Sequence, residues 1–273
     1  MTIACHKRES RPPDHSERYW SGFTLVELLV VLAIVVVLAS LLSAALNQTK
    51  ARAHQITCLN NLRQLQLNWI SYSDDNEDQL PLNRSQESPD EQTFGRRNST
   101  NSWVVGNPKE DVTSRNIVIG TLFPYTKSAS IYRCPSDQSK VVGHSLLRTR
   151  SYAINFYLNG DAAGLDSRVK TTLSSVGSPS PDKVFVFIEE HENSFWGGSF
   201  LVSPADKPSV LSPNWMSLPS DRHQRGCNLS FVDGHIEYWK WFWPKKLPTY
   251  GRIDANRHEL RDLRRLQESV PRP

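Results

Sequence analysis

Six carboxylate and imidazole side chains in the C-terminal part of the sequence could together bind a divalent metal ion. The candidate ligands are Glu189, Glu190, His191, His223, Asp233 and His235. Their spacing matches no compact metal motif such as His-Glu-x-x-His. Two interpretations therefore stay open for His223: a structural hydrogen-bond cluster, or a ligand of a metal or another functional site.

The other sequence features do not favour catalysis or nucleic-acid binding. No Gly-x-Ser-x-Gly sequence or phosphate-binding glycine loop is present in the 273 residues. The net charge is only +4, which is weak for a chain that binds nucleic acid. We therefore expect a protein that is not an enzyme, with no nucleic-acid partner and no cofactor other than the divalent metal considered above.

A lone carboxylate, Glu27, stands at the start of the most apolar segment of the chain. From Leu28 to Leu46 there is no charged residue, and no Pro or Gly interrupts the run. A helix of this length spans roughly 30 Å, the thickness of a bilayer core. The sequence thus predicts a transmembrane helix over 23–46. Because charged groups in such segments are costly, Glu27 is expected to be functional and paired.

A cleaved secretory signal peptide is the main alternative for this segment. Ser43-Ala44-Ala45 could serve as a small-residue cleavage site. However, the apolar run is longer than the roughly 7–15 residues of such signals, and no simple basic region stands directly before it. We therefore favour a retained membrane helix.

The helix is predicted to continue beyond the membrane as an amphipathic half over 47–80. An apolar stripe with spacings of four and three residues supports this prediction. The stripe consists of Cys58, Leu62, Leu65, Trp69 and Tyr72. It needs an apolar partner, most simply the globular domain that follows.

That domain is predicted to be β-rich and to extend over 81–244. Residues 82–116 are polar and are expected to form a surface loop or an irregular excursion, whereas Lys183–Glu190 alternates as a buried strand does. The last segment, 245–273, is predicted to be a basic tail containing a short helix with Asp254 at its N-cap.

A hairpin is predicted around Asp233-Gly234. Asn228–Val232 and His235–Trp239 are β-rich runs that flank this dipeptide. Asp-Gly favours a two-residue type I′ turn, in which both residues have positive φ. Asp233 and Gly234 thus have a sufficient structural role without any chemistry.

The stretch GFTLVELLVVLAIVVVLASLL, which begins at Gly22, closely resembles the N-terminus of type IV prepilins and of the pseudopilins of type II secretion. The resemblance implies that 1–22 is a leader, and that a prepilin peptidase cuts between Gly22 and Phe23 and methylates the new amine of Phe23. Glu27 would be the fifth mature residue. It is implied to pair with the amine of a neighbouring subunit, and the alternative is that it only snorkels to the interface.

Further stretches resemble large pilin-like proteins of planctomycetes and verrucomicrobia. They are CLNNLRQLQLNWISYSDDNEDQLP, YRCPSD, SYAINFYLNG, and an H-X9-DG motif in which nine residues separate His223 from Asp233-Gly234. Cys58 and Cys134 lie in two of these stretches. These contexts make Cys58–Cys134 the first disulfide to test, since an exported domain can be oxidised.

The sequence predicts an α+β fold, in which a long N-terminal pilin-like helix packs on an antiparallel β-rich C-terminal domain. The predicted function is a structural subunit of a type IV pilus-like or type II secretion pseudopilus filament. The expected partners are prepilin peptidase, homologous subunits and the inner membrane, with the leader cytoplasmic and the domain periplasmic or extracellular. The alternative is a membrane-tethered binding protein or metal-dependent enzyme that uses the pilin signal only for export. A ligand-lined cleft around His223 would favour that alternative.

Overall fold

The computed structural model describes most of the chain after the predicted leader. The described residues are 22–87, 96–194, 197–203, 214–245, 253–254 and 257–273. The chain divides into two compact units, of which the first ends at Gln48 and the second comprises Thr49–Pro273. Apart from Gly22, the predicted leader lies outside the described residues.

Helix α1 runs without interruption over Leu25–Asp75, a length of 51 residues. It is the one helix in the described part of the chain that is long and apolar enough to cross a membrane. The large apolar side chains of its first half are exposed, including Leu32 and Val36. Its second half ends at Asp75, within the range 47–80 predicted for the amphipathic half.

The remaining elements are short, as the many Pro, Asn and Ser residues between them favour. The helices are α2 (Arg115–Val118), α3 (Phe123–Thr126), α4 (Arg257–Gln267) and the 3-10 helices Ala129–Tyr132 and Pro181–Lys183. The strands are β1 (Ser85–Glu87), β2 (Arg96–Asn98), β3 (Tyr152–Asn155), β4 (Phe185–Glu189), β5 (Ser199–Phe200), β6 (Asn214–Trp215), β7 (Gly226–Phe231), β8 (Ile236–Lys240) and β9 (Ile253–Asp254).

The central sheet has five strands in the order β5-β3-β4-β7-β8. All neighbouring strands are antiparallel except β3 and β5, which are parallel. Tyr152 pairs with Glu189, so the end of β4 lies beside the start of β3. Two small antiparallel pairs, β1-β2 and β6-β9, lie outside this sheet. The α+β prediction is therefore confirmed.

The amphipathic half of α1 covers one face of the sheet. Its buried residues Leu62, Leu65 and Trp69 share a core with Tyr152 and Phe187 of the sheet. Gln66 adds a polar contact to this face, since Ser230 Oγ donates a hydrogen bond of 2.7 Å to Gln66 Oε1. The apolar stripe read from the sequence is thus the surface that packs on the domain.

Helix α4 covers the opposite face. Leu263 and Leu266 lie in a second core with Ile188, Leu229 and Trp239. Successive strand residues point to opposite faces, so each central strand contributes to both cores. The expected N-cap of this helix is wrong, because Asp254 lies in β9 and α4 begins only at Arg257.

The described parts of the segment 82–116 are largely irregular, as one of the two expectations had it, but the surface-loop alternative is wrong. The segment contains both strands of the β1-β2 pair and buries Trp103 and Val104 completely. Trp103 stacks on Tyr132 with 5.9 Å between ring centroids and meets Phe187 edge to face. These few large residues fold an otherwise polar segment onto the core.

The β7-β8 hairpin stands where it was predicted, but its turn differs. Gly234 has φ +96°, whereas Asp233 is not among the described residues with positive φ. The Gly234 N–H donates to the Phe231 carbonyl at 2.9 Å, and the Phe231 N–H donates to the His235 carbonyl at 3.0 Å. This is a three-residue loop with glycine in its last position rather than a type I′ turn.

Candidate functional site

The processing motif lies at the very start of α1. Gly22, Phe23 and Thr24 are outside the helix, which begins at Leu25. Phe23 is 70% exposed. The bond between Gly22 and Phe23 therefore lies just before the helix, where the chain has no regular secondary structure.

Glu27 has a contact that the sequence analysis missed. The backbone N–H and the hydroxyl of Thr24 donate to Glu27 Oε2 at 2.9 and 2.7 Å, and the Glu27 N–H donates to Thr24 Oγ1 at 3.2 Å. This reciprocal pattern is a capping box, which satisfies free N–H groups at a helix start. The Thr-x-x-Glu spacing in the sequence was the signal that could have revealed it.

The second candidate site is a buried cluster around His223. The cluster consists of Cys58, Cys134, Glu189 and His223, and their ligand atoms all lie within 4.8 Å of one another. His223 Nε2 lies 3.0 Å from Glu189 Oε1 and 3.3 Å from Cys134 Sγ. The Cys58 thiol donates a hydrogen bond to Glu189 Oε1. All four side chains are buried.

Four separate segments supply these side chains. Cys58 lies on the buried stripe of α1, and Glu189 ends β4 on the face opposite to Ile188, as strand alternation requires. Cys134 follows the 3-10 helix Ala129–Tyr132, and His223 precedes β7. The Tyr238 hydroxyl holds the latter loop by donating to the His223 carbonyl at 2.6 Å.

Burial and mutual contact shift the titration of these groups. Burial raises the pKa of Cys58 well above its ordinary value, and the contacts with Cys134 and Glu189 add to this. The hydrogen bond from Cys58 lowers the pKa of Cys134. Burial alone would raise the pKa of Glu189 and lower that of His223, but their attraction reverses both. The pKa of Glu189 is lowered and that of His223 is raised to about 10, so the two form an ion pair.

Two of the other proposed ligands, Glu190 and His191, lie outside the cluster. Glu190 is buried and accepts from Ser194 Oγ at 3.3 Å, and burial raises its pKa well above the usual range. His191 lines a cleft together with Glu192 and Arg222. His223 itself is only 3% exposed, so its ring does not form a cleft wall of the kind that would favour the alternative function.

Asp233 and His235, the last two candidates, pair with each other at the hairpin. His235 Nδ1 lies 2.6 Å from Asp233 Oδ1, and the His235 N–H donates to the same oxygen at 3.1 Å. Both side chains are partly exposed. The residues of the H-X9-DG motif thus divide between the buried cluster and the turn.

The cysteines among the described residues, Cys58, Cys134 and Cys227, are free thiols, so the structure does not contain the predicted Cys58–Cys134 disulfide. Cys58 and Cys134 are neighbours within the cluster, whereas Cys227 lies in the core under α4. The sequence analysis proposed a Cys58–Cys134 disulfide and separately proposed Glu189 and His223 as metal ligands. It did not connect the two pairs, because nothing in the spacing links residues so far apart.

Residues 21–43 match the family described as the prokaryotic N-terminal methylation motif. This match supports a type IV pilin-like precursor. No curated protein matches the chain, and no solved structure does. Together with the apolar first half of α1, the motif indicates a single-pass, membrane-anchored protein. It also implies processing by a prepilin peptidase and association with other pilins.

Proposed function

We propose that this chain is a pilin-like structural subunit, made as a precursor and assembled into a filament. One observation carries the proposal, namely the methylation motif over residues 21–43. Within it, Gly22 and Phe23 stand at the cleavage position of the prepilins that the sequence resembles, and Glu27 stands at the position of their glutamate. A prepilin peptidase removes 1–22 and methylates Phe23.

The first half of α1 then anchors the subunit in the inner membrane, with the domain on the periplasmic or extracellular side. The filament is of the type IV pilus or the type II secretion pseudopilus kind. The new amine of Phe23 is a cation at neutral pH, since the reference pKa of an α-amine is about 8. Glu27 of a neighbouring subunit offsets the desolvation of this amine and thereby sets the register between helices.

The C-terminal H-X9-DG region has a structural role in this proposal. His223 ties the loop before β7 to the buried cluster, and Asp233-Gly234 closes the β7-β8 hairpin. The resemblance of this motif and of the stretch that begins at Cys58 supports grouping the chain with the large pilin-like proteins that carry them.

Mass spectrometry of the mature N-terminus tests the proposal. In cells with prepilin peptidase the chain should begin at N-methyl-Phe23, and without the peptidase it should retain the leader. Gly22→Val should block maturation, because a branched side chain does not fit the cleavage position. A mature chain that begins at Leu46 would instead indicate ordinary signal peptidase and would overturn the proposal.

A further inference from the structure

We propose that Cys58, Cys134, Glu189 and His223 form a structural zinc site. Their ligand atoms lie within 4.8 Å of one another and offer two sulfurs, one nitrogen and one oxygen. Zinc is bound in proteins by this set of atoms, usually as four tetrahedral ligands. Calcium and magnesium prefer oxygen ligands only, so two thiolates and an imidazole argue against them.

The distances suit a zinc ion. Around tetrahedral zinc, a sulfur and a nitrogen are about 3.6 Å apart, and a nitrogen and an oxygen are about 3.4 Å apart. The corresponding separations here are 3.3 Å for Cys134 Sγ to His223 Nε2 and 3.0 Å for His223 Nε2 to Glu189 Oε1. For these two pairs a bound ion would need to move the ligand atoms apart by only a few tenths of an ångström. Cys58 Sγ, which is hydrogen-bonded to Glu189 Oε1, would have to lose its proton and move further from that oxygen.

Outer hydrogen bonds already orient the ligands. Ser220 Oγ donates to Glu189 Oε2 at 3.1 Å, which leaves Oε1 facing His223 and Cys58. The Tyr152 hydroxyl donates to Cys58 Sγ at 3.1 Å. Partners of this kind fix ligand orientation and raise the affinity of metal sites.

The burial of all four ligands assigns the site a structural rather than a catalytic role. A catalytic zinc keeps one coordination position for water or substrate, whereas a structural zinc is closed by four protein ligands. The ion would join α1, the Cys134 loop, β4 and the His223 loop, which are far apart in the sequence. It would thus fasten the amphipathic half of α1 to the sheet.

The test uses the full-length chain in detergent, stripped of metal by a chelator under reducing conditions. Titrated with Zn²⁺, wild type should retain one ion per chain by elemental analysis. Titrated with Co²⁺ instead, it should show a thiolate-to-metal charge-transfer band and the visible bands of tetrahedral cobalt. The Co²⁺ spectrum of wild type needs no variant and is therefore independent of whether substitutions fold.

The matched variants are Cys58→Ala and Cys227→Ala, since both residues are buried thiols but only Cys58 is in the cluster. Cys227→Ala should bind zinc like wild type. Loss of a residue that only hydrogen-bonds to a metal ligand typically lowers metal affinity about 10- to 100-fold. Cys58→Ala removes a ligand itself, so its zinc affinity should fall by more than that. Tyr152→Phe removes the hydrogen bond to Cys58 Sγ, and its zinc affinity should be about 10- to 100-fold below that of wild type.

Three results would overturn the proposal. The first is reduced wild-type chain that takes up neither Zn²⁺ nor Co²⁺. The second is a Cys58→Ala variant that binds zinc as tightly as wild type. The third is a Cys58–Cys134 disulfide, found by peptide mapping, as the main state of protein isolated without reductant.

Discussion

At the residue scale, Glu27 already has a partner within its own chain. Thr24 donates two hydrogen bonds to one carboxylate oxygen, so the acid caps the helix that carries it. In the proposed filament the same carboxylate also meets a neighbour's amine. A carboxylate has about four lone-pair positions, so it can serve both partners at once. The two roles differ in chemistry, because the cap needs an acceptor and the pairing needs a charge.

Glu27→Gln separates these roles, since glutamine can complete a capping box but carries no charge. We predict that Glu27→Gln and Glu27→Val are both cleaved at Gly22 and both fail to assemble. Breaking a buried ion pair typically costs about 3–5 kcal/mol, which is enough to abolish a subunit contact. Filament yield by electron microscopy, with the mature mass as control, measures this.

Thr24→Ala is the companion variant, because it removes the cap and keeps the charge. The helix start should lose about 1 kcal/mol, and assembly should persist. Normal assembly of Glu27→Gln, together with failure of Thr24→Ala, would show that capping and not charge is what the filament requires.

At the element scale, the β7-β8 hairpin depends on Gly234. Its φ of +96° is a conformation that residues with a Cβ rarely adopt, although an added Cβ would meet only Ile70 Cδ1 at an ordinary 3.6 Å. We predict that Gly234→Ala lowers the free energy of unfolding by about 1–2 kcal/mol, through backbone strain alone. Thermal unfolding followed by circular dichroism measures this change.

Gly177→Ala is the control for this hairpin variant. Gly177 has no positive φ, and nothing lies within 4 Å of an added Cβ. Its substitution should change stability by no more than about 0.5 kcal/mol. If the two variants proved equally stable, the turn would not require a glycine.

At the scale of the whole molecule, the second half of α1 belongs to the domain. Leu65 lies on the face of α1 that packs on the domain and is fully buried, whereas Leu67, two residues further along the helix, is 56% exposed. We predict that Leu65→Ala costs about 2–5 kcal/mol and that Leu67→Ala has an effect within about 0.5 kcal/mol. Chemical denaturation of the full-length chain in detergent measures both. Equal effects would mean that α1 does not pack on the sheet through this face.

A chain that begins at Thr49 should fold in water without detergent, because both cores lie within Thr49–Pro273. A chain that begins at Asn83 should aggregate, since it lacks the helix that covers one face of the sheet. Size-exclusion chromatography distinguishes these outcomes. Aggregation of the longer chain would show that the domain depends on its anchor.

Local patterns in the sequence were sufficient for α1, its buried stripe and the position of the hairpin. In each case the pattern is a short-range spacing, such as that of Cys58, Leu62 and Leu65. The fold of 82–116 was not predictable in the same way, since its polar composition hides the anchoring role of Trp103. The buried cluster depends on β4 lying between β3 and β7, and no spacing along the chain encodes that order.

The continuity of α1 has a mechanical consequence. A pull on the anchor would be transmitted along the hydrogen bonds of one helix into the domain. Among the described side chains of α1, Cys58 is the first that is buried, nine residues after the second unit begins at Thr49. Tension would therefore reach the domain first at Cys58, whose neighbours come from the Cys134 loop, β4 and the His223 loop. The load would be shared among three segments at once, which resists peeling of the helix from the sheet.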